Sequence, residues 1–176
     1  MHGIVHQRLK AYVERGAGED AWETVLDRAD VEPTLYLAVS HYPDAEFESL
    51  FATLVELTGH DRTTLERDFG HFLAPTLHST FPGHRPDASS YADLLCELDS
   101  LAASFAGSES DPPTVAGERT DGTITVTYRS ERGYCAIAHG VLEGMAEPYD
   151  ATVGVEEVDC ESDGADRCTF RVAVDE

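Results

Sequence analysis

The sequence predicts an α+β fold, in which an N-terminal helical half is followed by an antiparallel sheet with one crossing helix. Apolar residues recur at helical spacing in the first half, and beyond a loop at 108–122 the period changes to two. The 176 residues are 41% hydrophobic, which suits one domain with a sizeable core. We therefore expect a single domain over 1–176, with a helical subdomain at 1–82 and a helix-plus-sheet subdomain at 83–176.

The first two helical patterns lie at 19–29 and 43–59. Each places its apolar residues three or four positions apart, so each helix is expected to bury one face. In the second pattern we expect Asp44 to be the N-cap and Gly59 to end the helix.

Two further helices complete the first half. Thr63 and Glu66 have the spacing of a capping box, and Pro75 is expected to interrupt the helix that follows them. The last pattern occupies 90–107, after a turn-rich stretch, and should stop near Gly107. The residues predicted to face inward on it are Leu94, Leu95, Leu98, Leu101, Ala102 and Phe105.

The C-terminal part alternates between strand and helix patterns. The loop at 108–122 precedes a strand at 122–132, and helical spacing returns at 133–149. Alternating residues at 151–160 and 167–174 flank the turn ESDGAD, which predicts an antiparallel hairpin.

The chain is strongly acidic, with a net charge of -22 from 34 acidic and 12 basic residues. Nucleic acid and anionic membrane surfaces are therefore not expected as partners. No apolar run approaches the ~18 residues of a membrane span, and the N-terminus is too polar for a secretory signal, so we expect a cytoplasmic protein. The acid is spread along the chain and Lys10 is the only lysine, which favours a high-salt cytoplasm; an acidic protein of ordinary salinity is the alternative.

A row of polar side chains ends the strand at 122–132. Strand alternation would place Tyr128, Ser130 and Arg132 on one face. Arginine offers a bidentate fork to a carboxylate, and the two hydroxyls add donors about 6.6 Å apart along the strand. The alternative is that the strand simply ends in water there, with Arg132 solvated.

The order of elements and several motifs resemble the heme-nitric oxide/oxygen binding (H-NOX) family over nearly the whole chain. The matching segments are MHGIVHQRLKAYV, AWETVLDRADVEP, YPDAEFESLFATLVELTG, FGHFL, DPP, and YRSER followed by GYCAIAHGVLEG. YRSER matches the Tyr-x-Ser-x-Arg signature of the family. The resemblance implies an H-NOX-like fold and a heme whose two propionates are held by Tyr128, Ser130 and Arg132. It also implies sensing of NO or O2 and signalling to a histidine kinase, a cyclase or a chemotaxis receptor.

The chain departs from the family at the iron ligand. The family histidine follows a leucine frame that matches Leu95, Leu98 and Leu101, but the next residue here is Ala102, which has no lone pair for iron. The resemblance further implies an apolar pocket on the far side of the heme, formed by Val5, Leu9, Leu73 and Leu77. None of the other candidate histidines can be assigned as the ligand; they are His6, His71, His78, His84 and His139.

Two functions remain open after this departure. One is a heme-based gas sensor, favoured by the intact YRSER motif. The other is a heme-free regulatory module that binds a small apolar or aromatic effector, favoured by Ala102. No nucleophile elbow and no phosphate-binding glycine loop is recognisable, so we do not expect an enzyme.

A second candidate site lies in the predicted hairpin. Cys160 and Cys168 flank its turn, Glu157 precedes them, and Cys135 begins the preceding helix. Three sulfurs and one carboxylate suit a tetrahedral zinc ion. The spacing also resembles the zinc site of the vinyl reductase type of ligand-binding domain. A set without metal and a redox disulfide between Cys160 and Cys168 are the alternatives, and Cys96 is expected in the core.

Overall fold

The computed structural model describes residues 1–80, 88–105 and 113–175. Its contacts group into two units, Met1–Leu65 and Glu66–Glu176. The expected subdomain division at 82 stays a prediction, and it falls, like the helix end near Gly107, outside the described residues. Within the described ranges, no helix is both long enough and apolar enough to cross a membrane.

The first unit contains three helices: α1 (Gly3–Ala17), α2 (Glu19–Ala29) and α3 (Asp44–Thr58). The helices predicted at 19–29 and 43–59 are confirmed as α2 and α3. α1 was not predicted as a helix. Each helix contributes one apolar face to the core of this unit. The innermost side chains are Leu9, Val25, Phe47, Leu50 and Phe51, each at most 1% exposed.

The structure corrects the predicted N-cap of α3 and confirms its end. Asp44 is the first helical residue, and its carboxylate pairs with the amino terminus of Met1. Pro43 occupies the N-cap position without a side-chain hydrogen bond. Gly59 ends the helix as expected, in the left-handed conformation.

α4 (Arg62–Thr80) differs from its prediction at both ends. The carboxylate of Asp61 accepts a hydrogen bond from the backbone N–H of Thr64 at 3.0 Å, so Asp61 caps the helix and the predicted capping box of Thr63 and Glu66 is wrong. The helix also continues through Pro75, which is exposed. Proline removes one backbone donor and crowds the carbonyl one turn earlier, so the helix of 19 residues continues through Pro75 at a cost in stability.

The single helix predicted at 90–107 is two helices, α5 (Tyr91–Cys96) and α6 (Leu98–Phe105). Ser90 caps α5 by accepting a hydrogen bond from the N–H of Asp93 at 3.1 Å. Glu97 lies between the two helices with non-helical backbone angles. Leu94, Leu95 and Leu98 are buried as predicted.

The sheet has four antiparallel strands in the order β1-β2-β4-β3. The predicted hairpin is confirmed as β3 (Thr152–Asp159) and β4 (Cys168–Asp175). β1 (Thr114–Thr120) pairs along its length with β2 (Thr123–Arg129), so the predicted loop at 108–122 is wrong for seven of its residues. Mostly small or polar residues form this edge strand, and it is held by backbone pairing and by the packing of Val115 against the core.

α7 (Cys135–Gly144) is the predicted crossing helix, and it packs closely on α4. A Cβ atom added at Gly140 would collide with the carbonyl oxygen of Arg67, so the contact requires glycine. Arg67 also forms a bidentate ion pair with Glu143, with its Nε 2.8 Å from Glu143 Oε2. The core beside these helices includes Leu94, Leu95, Ile124, Val126, Leu142, Phe170 and Val172.

Candidate ligand and metal sites

The polar row is built by a turn rather than by a strand face. β2 ends at Arg129, one residue before Ser130, and a bond of 3.1 Å from the N–H of Gly133 to Ser130 O closes a turn. Gly133 has φ +67°, a conformation that glycine adopts without strain. Of the three residues, only Tyr128 therefore lies on a strand. Ser130 and Arg132 lie in the turn and approach each other there, so the predicted spacing of all three along one strand face is wrong.

Hydrogen bonds connect the side chains and backbone of this turn. The hydroxyl of Ser130 accepts from the N–H of Arg132 at 3.2 Å, and it also bonds the side chain of Tyr128. Burial raises the pKa of Tyr128, and Glu161 also raises it, whereas Ser130 and Arg132 act in the opposite direction. Tyr128 is therefore a neutral phenol at ordinary pH and can donate a hydrogen bond.

A groove of about 600 Å³ opens beside this turn, within the size range of ligand pockets. Asp99 of α6 and Tyr128 of β2 both line it, and Tyr128 is the one residue of the predicted row among the lining residues described. Two arginines, Arg129 and Arg167, also line the groove, and two carboxylates, Asp99 and Asp166, balance their charge.

The residue predicted to stand at the position of the family's iron ligand, Ala102, has no donor atom in its side chain. Ala102 lies on α6 and is half-buried. Leu95 and Leu98 of the leucine frame are buried, and the side chain of Leu101 lies outside what the structure describes. A methyl side chain cannot coordinate iron.

The four residues predicted to form the apolar pocket are divided between the two units. In the first, Val5 is half-buried and Leu9 is fully buried. In the second, Leu73 is buried on α4 and Leu77 packs against the core.

The histidines occupy several environments, and none of those that the structure describes stands out as an iron ligand. His6 is fully buried in the first unit, against the ring of Tyr36 at 4.5 Å between centroids. His71 is exposed. His78 lies 3.4 Å from the hydroxyl of Tyr149, and His139 packs on Phe170. His84 lies outside the described residues.

The four predicted zinc ligands do come together. One ligand atom from each of Cys135, Glu157, Cys160 and Cys168 lies within 4.8 Å of the others. The start of α7 supplies Cys135, β3 supplies Glu157, and the two ends of the hairpin turn supply the other two sulfurs. The three cysteines are buried and the glutamate is exposed.

The thiol chemistry of this cluster differs from the expectation in one respect. The structure joins Cys135 and Cys168 as a disulfide, with Cα atoms 6.6 Å apart, whereas the expected partner of Cys168 in a disulfide was Cys160. Cys160 is a free thiol whose sulfur lies 3.7 Å from that of Cys168. Because α7 brings a third sulfur to the hairpin, Cys168 has two sulfur neighbours. Burial raises the pKa of Cys160, and Glu157 adds to that rise against a lowering by Ser162.

Cys96 is exposed, which corrects the prediction that it lies in the core. It is the last residue of α5, and the helix turns its buried face, with Ala92 and Leu95, away from this position. The prediction considered only that Cys96 lies on an inward-packing helix and not which face of that helix it occupies.

Glu161 connects the thiol cluster to the polar turn, and no sequence signal beyond its place in the hairpin turn points to it. Its backbone N–H donates to Cys168 Sγ at 3.4 Å. Its carboxylate accepts a hydrogen bond from the N–H of Ser130 at 3.2 Å and lies 3.9 Å from Arg129 Nε. Tyr128 is directly opposite Cys168 in the register of β2 and β4, so the two candidate sites share one end of the sheet.

Comparison with protein families matches the model described as Haem-NO-binding over residues 2–157. The chain belongs to this Haem-NO-binding family. The resemblance inferred from YRSER and the surrounding segments is thereby confirmed at the level of the family. No curated protein sequence matches the chain significantly.

Solved structures of the Haem-NO-binding family share the fold. An H-NOX protein from S. oneidensis in the Fe(II)NO ligation state aligns over 100% of both chains with a TM-score of 0.90 and 21% identity. A point mutant of T. tengcongensis H-NOX has a TM-score of 0.86 and 22% identity over 100% of this chain and 98% of its own. An oxygen-binding H-NOX domain related to soluble guanylate cyclases, in its oxygen complex, has a TM-score of 0.84 and 22% identity over 100% and 96%. The predicted α+β fold class is confirmed by these likenesses.

Proposed function

We propose that this chain is a sensory domain that binds heme or a related tetrapyrrole and reports a diatomic gas, NO or O2, to a signalling partner. The observation that carries the proposal is membership of the Haem-NO-binding family together with the predicted residues Tyr128, Ser130 and Arg132, of which Ser130 and Arg132 meet in a turn and Tyr128 lines a groove. The structural likeness to H-NOX proteins with NO and oxygen bound supports the same class of ligand.

Tyr128, Ser130 and Arg132 suit the propionate edge of a heme. A neutral phenol, a hydroxyl and a guanidinium form a donor set for two propionates, and charge-assisted bonds to carboxylates are the stronger kind. When bound, heme iron supplies the coordination site for a diatomic gas. Position 102 offers that iron no ligand, so the contacts of Tyr128, Ser130 and Arg132 with the carboxylates would supply the polar part of the binding.

A test of this proposal compares hemin with iron-free protoporphyrin IX, which carries the same two propionates. We expect the purified protein to bind both with similar affinity, because Tyr128, Ser130 and Arg132 would recognise the carboxylates and not the iron. Soret absorbance measures hemin binding, and porphyrin fluorescence measures protoporphyrin binding. Ala102→His should strengthen hemin binding at least about tenfold while protoporphyrin binding stays unchanged.

Ser100→His is the matched control for that variant. Ser100 is exposed on the same helix, so its imidazole should leave hemin binding unchanged. If Ala102→His binds no more hemin than the parent protein, or if Ser100→His gains as much, α6 does not face the iron and the heme assignment is wrong.

A heme-free module that binds a small apolar or aromatic effector is the second candidate, and Ala102 favours it. Failure of both hemin and protoporphyrin to bind the parent protein and Ala102→His would support this candidate over the first. The partner in either case is proposed to be a histidine kinase, a cyclase or a chemotaxis receptor, and we propose no catalytic activity for the chain itself.

We also propose that Cys135, Glu157, Cys160 and Cys168 hold a structural zinc ion. The convergence of four ligand atoms within 4.8 Å supports this assignment, and a closed set of four leaves no position for a reacting water. The disulfide of Cys135 and Cys168 and the zinc complex are alternative states, because zinc requires both sulfurs as thiolates. Elemental analysis of protein purified under reducing conditions without chelator should give about one zinc per chain, and less than about a tenth would contradict the assignment.

A further inference from the structure

Three exposed apolar side chains project from one short segment of the first unit. Leu35, Leu37 and Val39 are 84%, 52% and 85% exposed. They are three of the five large hydrophobic residues that are exposed within the described ranges, so the exposure is concentrated at this segment. We call these three residues the apolar strip.

The apolar strip belongs to a segment that is held in place. Between its members, Tyr36 points inward at 3% exposure, and its hydroxyl donates to Glu46 Oε1 at 2.7 Å. Gln7 Nε2 donates to the carbonyl of Tyr36 at 2.5 Å, and the N–H of Leu37 donates to the hydroxyl of Tyr42 at 2.8 Å. The outward direction of the strip is therefore fixed by hydrogen bonds rather than by a loose loop.

An acidic groove adjoins the apolar strip along the chain. It has a volume of about 850 Å³, and residues of α1, α2 and the stretch from 30 to 34 line it, ending one residue before Leu35. Among the described residues that line it, the one cation is Lys10, which lies 3.6 Å from Glu14. The carboxylates of the groove belong to Glu14, Glu19, Asp20, Glu23, Asp27, Asp30 and Glu32.

We propose that the apolar strip and the acidic groove form one docking surface for an amphipathic, lysine- and arginine-rich segment of a partner protein. Apolar side chains of such a segment cover the strip, and its cations neutralise the groove. A second copy of this chain does not suit the surface, because its charge of -22 would set like charges against each other. An anionic lipid surface is repelled for the same reason. The proposal concerns the first unit alone and does not rest on the tetrapyrrole or zinc assignments.

The experiment uses a synthetic peptide that repeats leucine and lysine at helical spacing. Binding is followed by anisotropy of a label on the peptide in about 0.15 M salt, where distant charges are screened. Emission of Trp22, the single tryptophan of the chain and a lining residue of the groove, gives a second readout. We expect saturable binding, and a peptide with glutamate in place of lysine should not bind.

Matched variants separate this surface from general attraction to an acidic protein. Leu35→Ser combined with Val39→Ser should weaken binding at least about tenfold, and Glu23→Gln combined with Asp27→Asn should do the same while reducing its salt dependence. The controls are Leu57→Ser and Glu56→Gln, which alter an exposed leucine and an exposed glutamate of α3 and should change binding little. Circular dichroism confirms that each variant is folded.

Three results would overturn the proposal. One is the absence of saturable binding by the parent protein. A second is equal weakening by the α3 controls and the strip or groove variants, which would indicate net charge alone. The third is unchanged binding in the double variant of Leu35 and Val39, since the strip would then be irrelevant to docking.

Discussion

The thiol cluster and the polar turn lie at the same end of the sheet, but they are differently equipped for their proposed ligands. The cluster brings four ligand atoms from three parts of the fold within 4.8 Å of one another. Four ligands complete the coordination of a tetrahedral ion. The turn supplies donors that would suit the proposed carboxylates, whereas Ala102, at the position proposed for the iron ligand, has no donor. Under the proposed function, the chain retains the fold and the propionate-binding half of the site but lacks the residue that would ligate the iron.

Glu161 limits how independent the two sites can be. Its backbone contacts Cys168 and its carboxylate contacts Ser130, so a change in the hairpin turn reaches the polar turn through one residue. We expect stability to depend mainly on the cluster and ligand affinity mainly on the turn, with a small shared part.

The largest effect should come from Cys160→Ser in the reduced, zinc-loaded protein. Structural zinc contributes several kcal/mol to small domains, so we expect zinc content to fall below about a tenth of an equivalent and the melting temperature to drop by about 10 °C or more. Tetrapyrrole affinity should change less than about threefold. Cys96→Ser is the control, since Cys96 is exposed and outside the cluster, and zinc loss in that variant would contradict the assignment.

Next in size is the effect of Arg132→Gln on ligand affinity. Removing a charge-assisted bond to a propionate should weaken protoporphyrin binding by about 10- to 100-fold, which corresponds to roughly 1.5–3 kcal/mol. Zinc content should stay the same. Arg171→Gln removes an exposed arginine that pairs with Glu156, and it should leave both ligands unaffected. Equal losses in the two variants would show that the turn is not the recognition element.

Gly140→Ala tests whether the packing of α7 supports the cluster. The added methyl group meets the Arg67 carbonyl, so α7 must shift, at a cost of about 1–3 kcal/mol in the free energy of unfolding. Because α7 begins with Cys135, zinc affinity should fall as well. Gly154→Ala is the matched control, since a Cβ there has no neighbour within 4 Å. Urea unfolding and competition with a zinc chelator measure the two effects.

Acid stability should depend on a histidine that belongs to neither site. Burial lowers the pKa of His6 to about 4, below the 6.5 of an unfolded chain. The unfolded state therefore binds more protons between these values, so stability is complete above about pH 6.5 and is lost as the pH falls toward 4. The loss should be on the order of 2 kcal/mol at pH 5.

His6→Gln should flatten this part of the pH profile, as measured by thermal unfolding between pH 7 and 5. His60→Gln, at an exposed position, should follow the parent protein. A profile of His6→Gln that matches the parent would mean that the acid sensitivity arises elsewhere, for example from protonation of the zinc thiolates.

Sequence periodicity predicted the helices and strands that bury a regular apolar face. The predictions failed where backbone pairing or backbone conformation determines the structure. The hairpin and α7 follow from alternation and helical spacing, and they sufficed to predict that the four candidate metal ligands meet. β1 escaped prediction because its mostly small and polar residues show no clear apolar alternation, although Val115 packs against the core. The turn after Arg129 depends on the left-handed Gly133, which side-chain pattern alone does not predict. The exposure of Cys96, by contrast, agrees with its place off the inward face of the predicted helix.

Added salt should have the smallest effect on stability, and it should affect the two sites differently. A net charge of -22 on 176 residues should make the folded chain repel itself, so the melting temperature should rise with added KCl as the screening length falls to about 3 Å at 1 M. Salt should also weaken the contact of Arg132 with a propionate, whereas zinc bound by thiolates should respond little. We therefore expect added KCl to raise stability, lower tetrapyrrole affinity and leave zinc content constant. A flat or falling melting temperature would remove the support for a high-salt cytoplasm, and a protoporphyrin affinity independent of salt would indicate that apolar contacts, rather than the polar turn, hold the ligand.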